Sequence, residues 1–197
     1  MMKKNIKGYH KNFLKLINAI KITGNKRKAL NFYDGILIAC KIIERQAKAG
    51  GKIFFIGNGG SAAIASHMAI DFWKNLGIPA MSFNDNSLLT CISNDFGYEN
   101  VFAKPIEFFA GKNDILFAIS SSGNSRNILK GAEAMLAKKG RVITLSGFKE
   151  NNPLSSKGIC NFYVPAHEYG SVEVIHQYIC HFIFDTIMEH KSKREIR

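Results

Sequence analysis

A chain of 197 residues, 46% hydrophobic and 21% charged, has the composition of a globular protein and the length to bury one full α/β core. Twenty-seven basic residues against 15 acidic ones give a net charge of +12, and nine of the basic residues fall within residues 1–28, which hold no acid. No apolar run reaches the ~18 residues that crossing a bilayer demands, so no membrane span is expected. In chain order, Met1 to Lys15 alternates lysines with single apolar residues and lacks the continuous core of a secretory signal. The basic ends read as a solvated surface that steers anions. No aromatic residues interleave the tail lysines as a stacking platform for nucleic acid would require, so nucleic acid is not the expected partner.

Leu30, Tyr33, Ile36, Leu37, Cys40, Ile43 and Ala47 recur at helical spacing and predict a helix over 28–49, ended by Gly50-Gly51. Short apolar runs then alternate with helical stretches. Strands are predicted at 52–56, 80–83, 115–119, 141–145 and 161–164, and helices at 61–74, 125–139 and 172–189. Continuous apolar strands separated by helices imply a parallel sheet covered on both faces. The expected fold is a doubly wound three-layer α/β sandwich with about five parallel strands. It forms a single domain over 1–197, with an N-terminal helical extension of about 1–49 and a sheet core of about 51–189. Four cysteines (Cys40, Cys91, Cys160, Cys180) sit far apart with no C-x-x-C pair, as expected for free thiols in the cytoplasm.

Two predicted strands run straight into loops of glycine, serine and asparagine, each opening a helix. The first is Gly57, Asn58, Gly59, Gly60, Ser61; the second is Ser120, Ser121, Ser122, Gly123, Asn124, Ser125. Glycine lets backbone approach a phosphate, serine hydroxyls donate to it, and a helix N-terminus offers free N–H groups with partial positive charge. Neither loop is a Walker A or a dinucleotide G-x-G-x-x-G, which argues against nucleoside triphosphate and NAD. In folds of this kind, ligands bind beyond the carboxyl ends of the strands.

With GNGGSAA (57–63), SNDFGYENVFAK (93–104), ISSSGNSRN (119–127), VITLSGF (142–148) and IHQYICH (175–181), the chain resembles the sugar isomerase (SIS) domain family, and within it the phosphoheptose isomerases. The similarity runs from about 51 to 189. It implies a ketose–aldose isomerase that converts sedoheptulose 7-phosphate to D-glycero-D-manno-heptose 7-phosphate in heptose (lipopolysaccharide or capsule) biosynthesis. It also implies a homotetramer with active sites at subunit interfaces. Asn58, Gly59, Gly60, Ser61, Asn94 and Asp95 would contact the substrate, and Ser120, Ser121, Ser122 and Ser125 would hold its phosphate. His67, Asp71, Glu173 and His181 fall on positions that can hold zinc in the family. Asp71 and His181 fall on its acid/base pair, and Asp71 and Glu173 also count among the substrate contacts. Three departures stand out: Asp71 replaces a glutamate, Glu173 replaces a glutamine, and the Lys74–Pro79 segment is shorter than usual.

Read as chemistry, isomerisation through an enediolate needs a base over the carbon acid, a group that shuttles protons between the oxygens, and exclusion of water. Asp71 and His181 provide a carboxylate and an imidazole. His67 and Asp71, at i, i+4, share a helix face. Glu173 and His181 stand eight residues apart, roughly 12 Å along an intact helix, so they reach one ion only from opposite ends, and Gln177 with His181 is the easier local pair. Glu173 is the group expected to compensate for the shorter Asp71. His176 reads as a structural histidine. Two other readings remain open: a non-catalytic phosphosugar-binding module of the type that binds the bacterial replication initiator, and an isomerase of another phosphosugar.

Overall fold

Four runs of mainly aliphatic and aromatic residues form the middle of the sheet: β3 (Ile53–Ile56), β5 (Ile115–Ser120), β6 (Arg141–Ser146) and β7 (Cys160–Tyr163). Apart from Arg141 at the start of β6, every residue in them is buried, so both faces of the sheet must be covered. The computed structural model, which describes residues 2–195, shows how. On one face lie α1 (Met2–Asn18), α2 (Phe32–Lys48), α3 (Gly60–Leu76) and α7 (Tyr169–Glu195). On the other lie α4 (Asn86–Phe96), α5 (Ala103–Phe109) and α6 (Arg126–Ala137). Adjacent residues separate the layers. Phe55 and Phe117 point into the first, and Phe54 and Leu116 into the second.

A short edge strand, β4 (Ala80–Ser82), pairs with β3, so the parallel order is β7-β6-β5-β3-β4. These are the five parallel strands that the sequence predicts. The sheet has seven strands, however, because β1 (Lys21–Thr23) and β2 (Ala29–Leu30) form an antiparallel pair and β1 docks on β7. This hairpin lies inside the segment expected to be wholly helical. Helix α2 accordingly begins at Phe32, not near Lys28. Asn31 stops it there, its side chain accepting a hydrogen bond from the Asp34 N–H at 2.9 Å. A three-residue strand carries too little alternation to be told from a helix start. Among the described residues, no helix is long and apolar enough to cross a membrane.

The azimuth of α3 decides the site. Phe72 packs its ring 5.5 Å from that of Phe55, and Phe55 stacks at 4.8 Å on Phe117. Burying each of these rings contributes roughly 1.5–3 kcal/mol. Met68 is buried on the same side. The opposite side of the helix therefore carries Ala63, His67 and Ile70 outward.

His176 on α7 is fully buried, and its Nε2–H donates to the Ser146 carbonyl at 3.1 Å. Its Nδ1 has no partner among the described residues, so the ring must stay neutral. Burial pushes its pKa down to about 4, against the opposing pull of the Ser146 bond. A base with a depressed native pKa binds its proton more readily when unfolded. The stability tied to this group is therefore present above pH 6.5 and is lost as pH falls toward 4, at up to about 1.4 kcal/mol per unit. Urea unfolding at pH 4.5 and 6.5, at fixed protein concentration, should show this dependence, and His176→Gln should flatten it.

Candidate active site

The carboxyl ends of β3 and β5 are neighbours in register, Ile56 opposite Ala118. The two polar loops that follow them face each other across a cavity of about 220 Å³. Asn58, Gly59 and Ser61 line one wall, Ser120, Ser121, Ser122 and Ser125 the other, and Ile119, Tyr169 and Glu173 complete it. Seven of the eleven residues in the two sequence-derived loops thus meet, while Gly57, Gly60, Gly123 and Asn124 are not in the lining. A Cβ on Gly60 would run into the carboxylate of Glu173. Gly59 has φ +55°, a conformation that side chains resist.

The helices that open on this cavity lack side-chain caps. Helix α2 is capped by Asn31 and α4 by Asp85, whereas α3 starts from Gly59 and the Ser125 side chain caps nothing in α6. In α3 the Ser61 and Ala62 N–H groups donate to the Asn58 and Gly59 carbonyls at 3.0 Å, and in α6 the Ile128 N–H donates to Asn127 Oδ1 at 3.0 Å. What the two helices offer an anion is therefore chiefly the positive charge of their ends. Among the described residues, no lysine or arginine lines the cavity, and the only formal charge on it is that of Glu173. The hydroxyls are partly organised already. Ser120 Oγ accepts from the Gly123 N–H at 3.2 Å, and Ser122 Oγ from the Asn124 N–H at 3.2 Å.

Further along α3 stands a second group. His67 Nε2 is 3.2 Å from Asp71 Oδ2, and the His67 ring is 5.3 Å from that of His181 on α7. One ligand atom from each of the three lies within 4.8 Å of the others. Two imidazoles and a carboxylate so placed fit the donor preferences of zinc. Of the four positions that the resemblance gives to zinc, the structure brings together these three. Glu173 stands apart because α7 is unbroken between it and His181, and its carboxylate turns to Gly60. Gln177 is not the local partner of His181 either, since its amide turns to Met68 Sδ at 3.4 Å. Asn94 and Asp95 lie exposed on α4, bonded to each other at 2.9 Å and outside the cavity lining. The Lys74–Pro79 segment holds only the end of α3, stopped at Gly77 with φ +66°, and the residues leading to β4.

The sequence reading missed three residues. Tyr169, the first residue of α7, lines the cavity without any local signal. Asn127 and Tyr98 both hydrogen-bond Asn58, and both stand inside motifs already singled out, ISSSGNSRN and NDFGYE.

Fold and site together define a doubly wound α/β domain with a cavity suited to an anionic small molecule at its strand ends and a carboxylate–imidazole group further along α3. The chain belongs to the SIS domain family, whose model matches residues 25–147. Its relatives include the phosphoheptose isomerase of Sodalis glossinidius (strain morsitans), 40% identical over 151 residues, with 74% of this chain and 77% of that protein covered. Among solved structures it is similar to a phosphoheptose isomerase from Francisella tularensis, with TM-score 0.82, 25% identity, and 96% and 99% of the two chains covered. The phosphoheptose isomerase GmhA from Neisseria gonorrhoeae has the same fold, with TM-score 0.82, 24% identity, and 95% and 99% covered.

If the serine loop is the anion anchor, Ser122→Ala removes one donor to a charged group. Inorganic phosphate, titrated calorimetrically, should then bind ~1–3 kcal/mol more weakly. Unchanged affinity would remove Ser122 from the anchor.

Proposed function

We propose that the protein is a phosphoheptose isomerase, which interconverts sedoheptulose 7-phosphate and D-glycero-D-manno-heptose 7-phosphate in heptose biosynthesis. The observation that carries this reading is a cavity of about 220 Å³ lined by serines and the uncapped ends of α3 and α6, with a carboxylate and an imidazole further along α3 and a second imidazole on α7. The 40% identity to a protein of that name supports it.

A seven-carbon sugar phosphate carries its anchor at C7 and its reacting carbons at C1 and C2, so binding and chemistry must be separated by most of its length. Helix α3 provides that separation: Ser61 is at the cavity, and His67 lies six residues further on, roughly 9 Å along the axis. Binding energy from the phosphate holds the reacting carbons in place. Asp71 removes the proton from C1 of the ketose and returns it to C2. His181 carries a proton from the C1 hydroxyl to the C2 oxygen, so the enediolate passes to the aldose without net loss of protons. His67, with its Nε2 3.2 Å from Asp71 Oδ2, orients the carboxylate. His67, Asp71 and His181 would also hold zinc, which when bound supplies Lewis-acid polarisation of the sugar oxygens.

The reading extends to a cytoplasmic homotetramer with active sites at subunit interfaces. Three of the four cysteines are buried and all are free, and burial pushes Cys40, Cys160 and Cys180 up to about 12, as suits a reducing compartment. Ile70 and Trp73 on α3 and Val174 and Tyr178 on α7 are exposed beside His67 and His181. In a monomer, that apolar surface would leave the chemistry open to water.

Incubation with sedoheptulose 7-phosphate should yield the aldose, and Asp71→Asn should lower kcat on the order of 100-fold or more. No product from the wild type would overturn the activity, and a fully active Asp71→Asn variant would overturn the assignment of the base. Light scattering at micromolar concentration should give four times the 22.0 kDa chain mass. A monomer would remove the interface site.

A further inference from the structure

Asn58 lines the cavity, yet its amide is almost wholly committed elsewhere, and that commitment has a direction. Asn58 Nδ2 donates to Asn127 Oδ1 at 2.9 Å, and Asn127 Nδ2 donates back to Asn58 Oδ1 at 2.8 Å. A side-chain amide can be turned end for end, so such a pair by itself has two equivalent arrangements. One backbone group removes the choice. The Ile128 N–H, in the first turn of α6, donates to Asn127 Oδ1 at 3.0 Å, and a donor there requires an oxygen opposite. With Asn127 fixed in this way, turning Asn58 over would set oxygen against oxygen and NH2 against NH2. The Tyr98 hydroxyl donates to Asn58 Oδ1 at 3.2 Å and takes its second lone pair. What Asn58 has left for a ligand is one N–H of its Nδ2.

That polarity matters in this cavity. Its only formal charge among the described residues is the carboxylate of Glu173, so an outward Asn58 carbonyl would add a further oxygen that cannot donate, facing an anion. Every oxygen of a sugar phosphate accepts hydrogen bonds, and the deprotonated ones cannot donate. Asn127 is itself 3% exposed, is not among the residues that line the cavity, and is bonded to Asn58, which is.

We propose that Asn127 is a positioning residue for the sugar phosphate: it holds Asn58 with an N–H, and not a carbonyl, toward the cavity. This rests on the reading of the cavity as a sugar-phosphate site. It assigns to the RN of ISSSGNSRN a role distinct from that of the serines, because Asn127 acts across the cavity on the opposite loop. Tyr98 is the third member of the arrangement and saturates the Asn58 oxygen.

The test compares Asn127→Ala and the isosteric Asn127→Asp, each made in the wild type and in an Asn58→Ala background. In the wild type, both should lower kcat/KM for sedoheptulose 7-phosphate on the order of 10- to 100-fold. In the Asn58→Ala background, neither should change it by more than about twofold, because the group through which Asn127 acts is gone. The same loss in both backgrounds would mean that Asn127 merely packs α6, and would overturn the proposal, as would no loss in the wild type. A second readout is independent of turnover. In the ligand-free wild type, the Asn58 side-chain N–H bonded to Asn127 should exchange with solvent more slowly by NMR than its cavity-facing partner, and Asn127→Ala should make both fast. Fast exchange of both protons in the wild type overturns the proposal whatever the kinetics show. A wild type with slow exchange but no isomerase activity instead overturns the proposed function and leaves the amide pair standing.

Discussion

Strands β3 and β5 run parallel and are hydrogen-bonded from Ile53 opposite Ile115 to Ile56 opposite Ala118. Everything in the site follows from that ladder. Two strands that end at the same level must release their loops side by side, about one strand spacing apart. Each loop starts a helix, so two helix N-termini converge on one point, and their partial charges add there. An anion can then be held without a lysine or arginine in the lining. Keeping formal cations out also spares the cavity the desolvation cost that a buried charge would carry.

Helix α3 does three things at once because its faces are differently committed. Its first turn belongs to the cavity, Phe72 and Met68 fix it on the sheet, and its outer face carries His67, Ile70 and Trp73. A change to the packing of Phe72 would rotate Asp71, its sequence neighbour, so core and chemistry are coupled through one peptide bond. The same rigidity explains the distribution of charge on α7. Over an unbroken helix, Glu173 and His181 cannot converge, so the two carboxylates serve different places: Asp71 beside the imidazoles and Glu173 at the cavity wall. Aspartate at position 71 reaches His67, four residues earlier on the same helix, at 3.2 Å.

What the sequence determined by itself was local. Unbroken apolar runs such as Ile53–Ile56 and Ile115–Ile119 can be satisfied only by a sheet covered on both faces, so the parallel core was legible from composition and order alone. That the glycine and serine loops after them open helices was legible in the same way, and their suitability for an anion follows from backbone chemistry that needs no tertiary information. The i, i+4 spacing likewise fixed His67 and Asp71 as neighbours. Long-range geometry decided the rest. The β1–β2 hairpin forms because β7 leaves an edge for it, which a three-residue strand cannot state. Tyr169 reaches the cavity only because α7 begins there, and Glu173 parts from His181 because that helix stays straight. Asn58 and Asn127 are 69 residues apart, and which end of an amide faces a ligand depends on a backbone N–H that only the folded chain brings beside it.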